Sequence, residues 1–478
     1  MKKIIPFLII LFWIFMTFLL IDRYATDSST DIKSQSLPQE GRQRWMGIYL
    51  KGQKIGFTSS RFEKEIDGYA AYEEIKMKIM VIGIMQDIHS RTSVLLSPAL
   101  KVRSFKFTLN AAQNIEVDGN IRDKTLILDI TTANNKSRRE ITLDEAPQMT
   151  LTIIPYLLQR GLKSGIKIRL PVFDPVTFST QKMLIEIVGK EKINLNNSEI
   201  DAFKIKGDLN GLKLLMWIDK QGNELKEESP MGFTLIAEPM EKAMKIPDIH
   251  SQVPDIITQT SVPFNLELPP DVSYLKVRLK GIDFGGLELN GGRQTLRGDV
   301  LEIVKEDINA PQYTTLPISG MEQFLADSPF AQSKNPEIVN LANTIIGNEK
   351  NSLTAGRLLW AWVFKNIEKT PSITIPSAVD IFKTRKGDCN EHTVLYTALA
   401  RAAGLPTKIN VGLVYKDKRF YYHAWPEIFA GRWIAIDPTL GQFPADAAHI
   451  RLISGELEKQ MILLKVINNI SLEGTEYR

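Results

Sequence analysis

From Trp45 to about Ala243 the chain alternates apolar and polar positions with a period of two. In "EIKMKIMVI", Ile75, Met77, Ile79 and Val81 alternate with Lys76 and Lys78; in "FKIKG", Phe203 and Ile205 alternate with Lys204 and Lys206. Turn-forming clusters separate these runs: "KGQK" at Lys51, "DG" at Asp118, "NN" at Asn134 and "DKQGN" at Asp219. Successive side chains of a strand point to opposite faces, so many short alternating runs predict a large antiparallel sheet or partial barrel over residues 43–245. A second β-rich piece is expected over 246–318. There "FNLELPPDVSYLKVRLKGID" alternates between prolines, and "GGLELNGG" reads as turns flanking a strand. That glycine-rich stretch lacks the Lys-Ser/Thr of a phosphate loop and opens no helix.

Near Gly320 the spacing changes. "NPEIVNLANTIIG" and "TAGRLLWAWVFKNIEK" carry apolar residues three and four apart, which predicts helices, and Gly347 reads as a helix stop. Residues 319–478 are expected to be a separate domain. No repeat of fixed period is visible.

The N-terminus has its own pattern. Lys2 and Lys3 precede an apolar run from Ile4 to Ile21, followed by Asp22 and Arg23. A basic start and an apolar segment of bilayer-spanning length predict a signal anchor or signal peptide over 1–24, with the lysines cytoplasmic and the rest exported. Small residues of a cleavage site are missing after the run, which favours an uncleaved, single-pass anchor in the inner or cytoplasmic membrane. The remainder of the chain would then be periplasmic or extracellular. Residues 25–42, rich in Ser, Asp and Gln, read as a polar linker.

Composition adds exclusions. The net charge of +4 is the balance of 59 basic and 55 acidic residues, without a basic run. No nucleic-acid partner is expected. No Cys/His set suggests zinc and no acidic cluster suggests calcium, so no metal or cofactor is expected. The chain of 478 residues has one cysteine, Cys389. A lone cysteine in an exported protein forms no internal disulfide; it is either an inert buried residue or a reactive thiol.

The setting of Cys389 bears on that choice. In "KGDCNEHTVLYTALARAAGLP", Val394, Leu395, Ala398, Leu399 and Ala402 form one helical stripe, with Gly404 and Pro406 at its end. Asp388 is a good N-cap, and Glu391 stands at the capping-box spacing. Cys389 therefore falls in the first turn, where the helix macrodipole favours an anion and lowers a thiol pKa. The other reading of this helix alone is a packed core thiol.

A nucleophilic thiol needs a base. His392 is on the same helix, which fixes both side chains and leaves little freedom to aim. In "FYYHAWPEIFAGRWIAIDPTLG", His423 lies on a strand, "AGR" marks a turn, and a second strand runs towards Asp437. A three-residue loop, Phe429-Ala430-Gly431, would pair Ile428 with Arg432 and set His423 directly opposite Asp437. Gly431 suits the left-handed position such a loop requires. In that register Asp437 orients the imidazole, His423 takes the thiol proton, and Cys389 attacks a carbonyl.

"KGDCNEHTVLYTALARAAGLPTKINVGLVY", "YYHAWPEI" and "GRWIAIDPTLG" together resemble the bacterial transglutaminase-like superfamily of cysteine peptidases. The resemblance covers roughly 322–453. It implies Cys389 as nucleophile, His423 as base and Asp437 as third member. It also implies a papain-related α+β domain with the nucleophile helix packed on an antiparallel sheet. The preceding β-rich region resembles exported half-barrel domains of unknown function. An indole N–H serves as an oxyanion donor in some transglutaminases, which makes Trp360 and Trp362 candidates. The fold class expected for the whole is α+β: a C-terminal transglutaminase-like domain preceded by antiparallel β-rich domains and an N-terminal membrane anchor. Three functional readings follow: a thiol-dependent peptidase or amidase working through an acyl-enzyme, an acyl transferase joining a glutamine amide to an amine, or a non-catalytic envelope protein that binds peptide or glycan. The expected partners are a protein or peptide-bearing envelope substrate, and the membrane through the N-terminal helix.

Overall fold

The computed structural model describes residues 41–478 except 112–113, 133–134, 197, 210, 230–231, 248–254, 310–313 and 372–376. The alternating region forms one antiparallel sheet of 14 strands. Eight successive strands, from Arg44–Leu50 to Lys136–Thr142, lead outwards by hairpins. A short helix, Ile153–Arg160, follows. Six more strands, from Lys167–Asp174 to Phe233–Ala237, return along the opposite wing. The last of them pairs with the first, Met46 opposite Ala237 and Leu50 opposite Phe233. Alternation places Phe62, Val94, Phe105, Val117 and Leu128 on a buried face.

The stretch after this sheet is not separate from the rest. Strand Tyr274–Lys280 pairs on one side with Val300–Val304 and on the other with the C-terminal strand Ser471–Tyr477. The two residues Val262 and Pro263 extend the sheet of the C-terminal domain at Phe420 and Arg419.

That domain begins with helices α1 (Pro336–Ile346), α2 (Ser352–Asn366), α3 (Ala378–Thr384) and α4 (Cys389–Ala402). Each N-terminus carries a capping side chain: Asn335, Asn351, Ser377 and Asp388. The helices are followed by β1 (Thr407–Lys416), β2 (Arg419–Phe429), β3 (Trp433–Ala435) and β4 (His449–Ser454). β1 lies between β2 and β4, and β3 pairs with the end of β2. Helix α4 packs on this sheet through a buried stripe that includes Val394, Leu395, Ala398 and Leu399. A continuous apolar core joins the large sheet to this domain, with Phe178 stacked on Phe330 at 5.5 Å between ring centroids.

The expected α+β class with an N-terminal membrane anchor is corrected. Among the described residues the protein is mostly antiparallel β, 49% strand against 18% helix. The long hairpins of the first sheet outweigh the helices that periodicity located after Gly320. No described helix is long and apolar enough to cross a membrane. The run assigned to an anchor, residues 1–24, lies outside the described residues.

Candidate active site

The helix that carries Cys389 starts as its sequence dictates. Asp388 accepts from the Asn390 N–H at 2.8 Å, and Glu391 reaches back to the Asp388 N–H at 2.8 Å, closing the capping box. Cys389 is the first helical residue, so its own N–H has no place in the helical ladder. His392 is fully buried and contacts the Asp388 carbonyl through Nδ1 at 2.7 Å. Burial pushes its pKa down. It holds the helix start, while a different histidine meets the thiol.

That histidine is His423 in β2, opposite Gly412 of β1. It neighbours Cys389: the imidazole charge and ring nitrogen, with the Ala424 backbone, act on the thiol and pull its pKa down. On the far side of the ring, Nε2 lies 2.7 Å from Asp437 Oδ2. A ring has two nitrogens, so Nδ1 is left for the thiol. Asp437 is fully buried, and its Oδ1 accepts from the Thr439 and Leu440 N–H groups at 2.7 and 2.8 Å. The structure thus brings Cys389, His423 and Asp437 together in that order.

The strand register differs from the expected one. β2 and β3 pair Phe429 with Trp433 and Glu427 with Ala435, a loop of Ala430, Gly431 and Arg432. This is a shift of two residues, so the faces are preserved and the direct His423–Asp437 opposition is lost. β3 ends at Ala435, and Asp437 joins a small turn through reciprocal backbone bonds with Gln442 at 2.9 Å. From that turn its carboxylate reaches His423 diagonally.

The indole candidates are otherwise engaged. Trp360 Nε1 donates to the Asp437 carbonyl at 3.1 Å, so it braces the carboxylate loop instead of facing the thiol. The ring of Trp362 lies under the Arg385 guanidinium, 4.5 Å from its centroid.

Sequence reasoning missed His449. This fully buried residue of β4 puts Nε2 3.1 Å from the same Asp437 oxygen and Nδ1 2.9 Å from Asp446 Oδ1. The only local signal was the three-residue spacing of Asp446 and His449. Its role depends on β4 lying beside β1, which local pattern does not reveal. Donor atoms of His423, Asp437 and His449 lie within 4.8 Å of one another, a spacing that a metal ion could also share. Hydrogen bonds to one oxygen account for that spacing.

Electrostatics follow from burial and these partners. Burial alone would lower the His423 pKa, but the charges of Asp437 and the thiolate raise it to about 9. Burial would raise Asp437; the two histidines hold it below the usual carboxylate range instead. Burial and then the charge of Asp388 push the Cys389 thiol up, opposed by His423 and the Ala424 N–H. The Asp388 carboxyl is itself held well above its ordinary range, first by burial and then by the charge of Glu391. The His423 imidazolium is the charged neighbour that opposes this rise. The helix-start lowering expected from sequence is therefore outweighed by burial, and the charge partner does the activating.

A small hollow lined by Asn390, Thr393, Val394 and Ala424 lies beside this constellation. Through Ile409 and Glu456 it adjoins a cleft of about 700 Å³ whose wall includes Phe178, Arg401 and Lys408.

Residues 339–438 match the transglutaminase-like superfamily. The C-terminal part of this chain carries a transglutaminase-like domain. No curated protein matches the chain. Among solved structures, the "Putative Cysteine Protease from Cytophaga hutchinsonii" is 17% identical, with 43% of this chain and 86% of that one covered, at a TM-score of 0.30. A "Beta-barrel-like Protein of Domain of Unknown Function DUF1849 from Brucella abortus" is 10% identical, covering 43% and 96%, at 0.33. The periplasmic domain of TgpA from Pseudomonas aeruginosa is 13% identical, covering 36% and 89%, at 0.23.

Proposed function

We propose that the transglutaminase-like domain is a thiol-dependent amide hydrolase working through Cys389, His423 and Asp437. The observation that carries the reading is the imidazole of His423, shared between the Cys389 thiol and the buried Asp437 carboxylate. The thiol passes its proton to His423 Nδ1, and the sulfur forms a bond to a substrate amide carbon. The Cys389 N–H, which has no hydrogen-bond partner among the described residues, is a natural donor to the developing oxyanion. Collapse breaks the C–N bond as His423 returns the proton to the departing amine. Water, deprotonated by His423, then attacks the thioester, and the cysteine leaves as thiol. An amine taking the place of water would turn the same acyl-enzyme towards transfer.

The basic start and apolar run of the sequence support export, which makes a protein, a peptide or a peptide-bearing wall polymer of the envelope the substrate class. Fractionation that found the protein in the cytosol would remove that class. The central test is covalent labelling with a thiol-directed peptide electrophile. Cys389 is expected to be labelled rapidly in the wild type and slowly in His423→Ala. Equal rates in both would overturn the hydrolase reading.

A further inference from the structure

We infer that His449 is a positioning residue for this site: a buried imidazolium, clamped between two carboxylates, that locks Asp437 in the orientation holding His423. The inference rests on the proposed chemistry of Cys389 and His423.

Hydrogen-bond chemistry fixes the protonation of the clamp. Asp437 faces four groups: the Thr439 and Leu440 N–H groups at Oδ1, and the two histidine Nε2 atoms at Oδ2. Asp446 faces the Ala448 N–H at 3.0 Å and His449 Nδ1 at 2.9 Å through Oδ1, and the Gln442 amide at 2.9 Å through Oδ2. Each partner other than a histidine is an N–H donor. Both carboxyls act as acceptors towards these groups, and against the effect of burial their charged and hydrogen-bonding partners hold both below the ordinary carboxylate range, so both are ionised. An ionised carboxylate only accepts, so each ring nitrogen of His449 must carry a proton. His449 is then a cation between two anions.

The surroundings agree. His449 is 0% exposed, so each of its N–H groups would be costly to leave unpaired. Its ring meets Trp425 edge-on at 5.2 Å, and the His423 ring lies 5.9 Å away. Other charges near the clamp are Arg293, which donates to the Ala445 and Asp446 carbonyls and lies 3.6 Å from Glu306, and His392, which feels the Asp437 charge. Burial would lower the His449 pKa, but Asp437 and Asp446 raise it.

The consequence for the site is orientational. Oδ2 is the one Asp437 atom that His423 uses, and His449 holds that atom from the second direction. Without it, Oδ2 is held by His423 alone, and the rotation of the carboxylate rests on the two N–H groups at Oδ1. His423 Nε2–H, and with it the aim of Nδ1 at the sulfur, would then be less defined. His449 is 0% exposed and makes no hydrogen bond to the thiol, so its removal should slow acylation and leave KM unchanged.

The test combines a substitution with a spectroscopic reading. In His449→Ala, alkylation of Cys389 at neutral pH is expected to slow by roughly 10- to 100-fold, the range for outer partners of metal-bound imidazoles. Added imidazole, which can enter between the two carboxylates as imidazolium, is expected to restore the rate. Alkylation at the wild-type rate, or a slow variant that imidazole does not rescue, would overturn the inference. Nitrogen NMR of the wild-type protein needs no variant: both His449 nitrogens should be protonated at pH 7, and a neutral ring would overturn the inference. If wild-type Cys389 behaved as an ordinary thiol, the hydrolase reading would fall while His449 stayed testable. In alkaline solution the neutral His423 should carry its proton on Nε2 in the wild type and share it between both nitrogens in His449→Ala. An unchanged tautomer in the variant would then sink the positioning role.

Discussion

Asp437, fully buried, holds the buried His423 from the side opposite the thiol, with Nε2 and Oδ2 2.7 Å apart. This contact fixes which ring nitrogen carries the resting proton and supplies the charge that stabilises the imidazolium. Asp437→Asn keeps the shape and removes the charge. Its amide can also present N–H to the ring, which favours the wrong tautomer. Hydrolysis is expected to fall by roughly 100-fold or more, with thermal stability changed far less. A variant within about twofold of wild-type kcat/KM would exclude Asp437 from the mechanism.

The pH dependence follows from the raised His423 pKa. A histidine raised from 6.5 to about 9 keeps its charge, and the stability that charge contributes, at low pH. That contribution is complete below about 6.5 and is lost as pH rises through about 9. A thiolate formed within that range meets a cation. Removing the cation by His423→Ala leaves burial and Asp388 to push the thiol up unopposed by any imidazolium. The alkylation midpoint of Cys389 should therefore move to higher pH in the variant. A midpoint that stayed put would show that the two groups do not interact.

What was legible in the sequence is what local rules decide. The helix of Cys389 was readable because its apolar stripe, Asp388 cap and Glu391 partner lie within a few residues of one another. The shared face of His423 and Asp437 was readable because strand parity survives a two-residue shift; the shift itself, which pairs Phe429 with Trp433, was not, since a three-residue loop can start at Phe429 or at Ala430. His449 and the donation from Trp360 to Asp437 join elements far apart in the chain, and no periodicity encodes them. The same holds for the large sheet. Its alternation was plain, but Met46 pairs with Ala237 across almost two hundred residues.

The large sheet has its own titration. Burial, then the charge of Glu224, raises Glu73 to about 7; burial, Glu224 and Glu73 raise Glu227 to about 8. A carboxyl raised on folding stabilises the folded state when protonated, so that contribution is lost as pH rises from about 4.5 through about 8. Both side chains are partly exposed, and the effect should be modest. Glu227→Gln keeps the shape without the charge. It should raise the melting temperature at pH 9 and leave it nearly unchanged at pH 5. An equal change at both values would mean that ionisation of Glu227 plays no part.

Gly387 ends the two-residue strand Lys386–Gly387 and sets how closely the nucleophile helix can follow it. A Cβ built there would stand 2.2 Å from Glu391 Cβ and 2.5 Å from Glu391 Cγ. Glu391 is 2% exposed and cannot swing away without giving up its bond to the Asp388 N–H. Its Cβ is fixed to the helix, so the extra methyl must displace the backbone of one segment or the other. Overpacking of this kind costs about 1–3 kcal/mol, and loss of the cap about 1 kcal/mol more. The same displacement moves Cys389, two residues on, relative to His423 in β2. Gly387→Ala is therefore expected to lower both the melting temperature and the rate of Cys389 labelling. Glu391→Ala, which breaks the cap but adds no clash, should show a smaller loss of stability. If Gly387→Ala melted like the wild type, the close approach of Gly387 to Glu391 would not constrain the helix start.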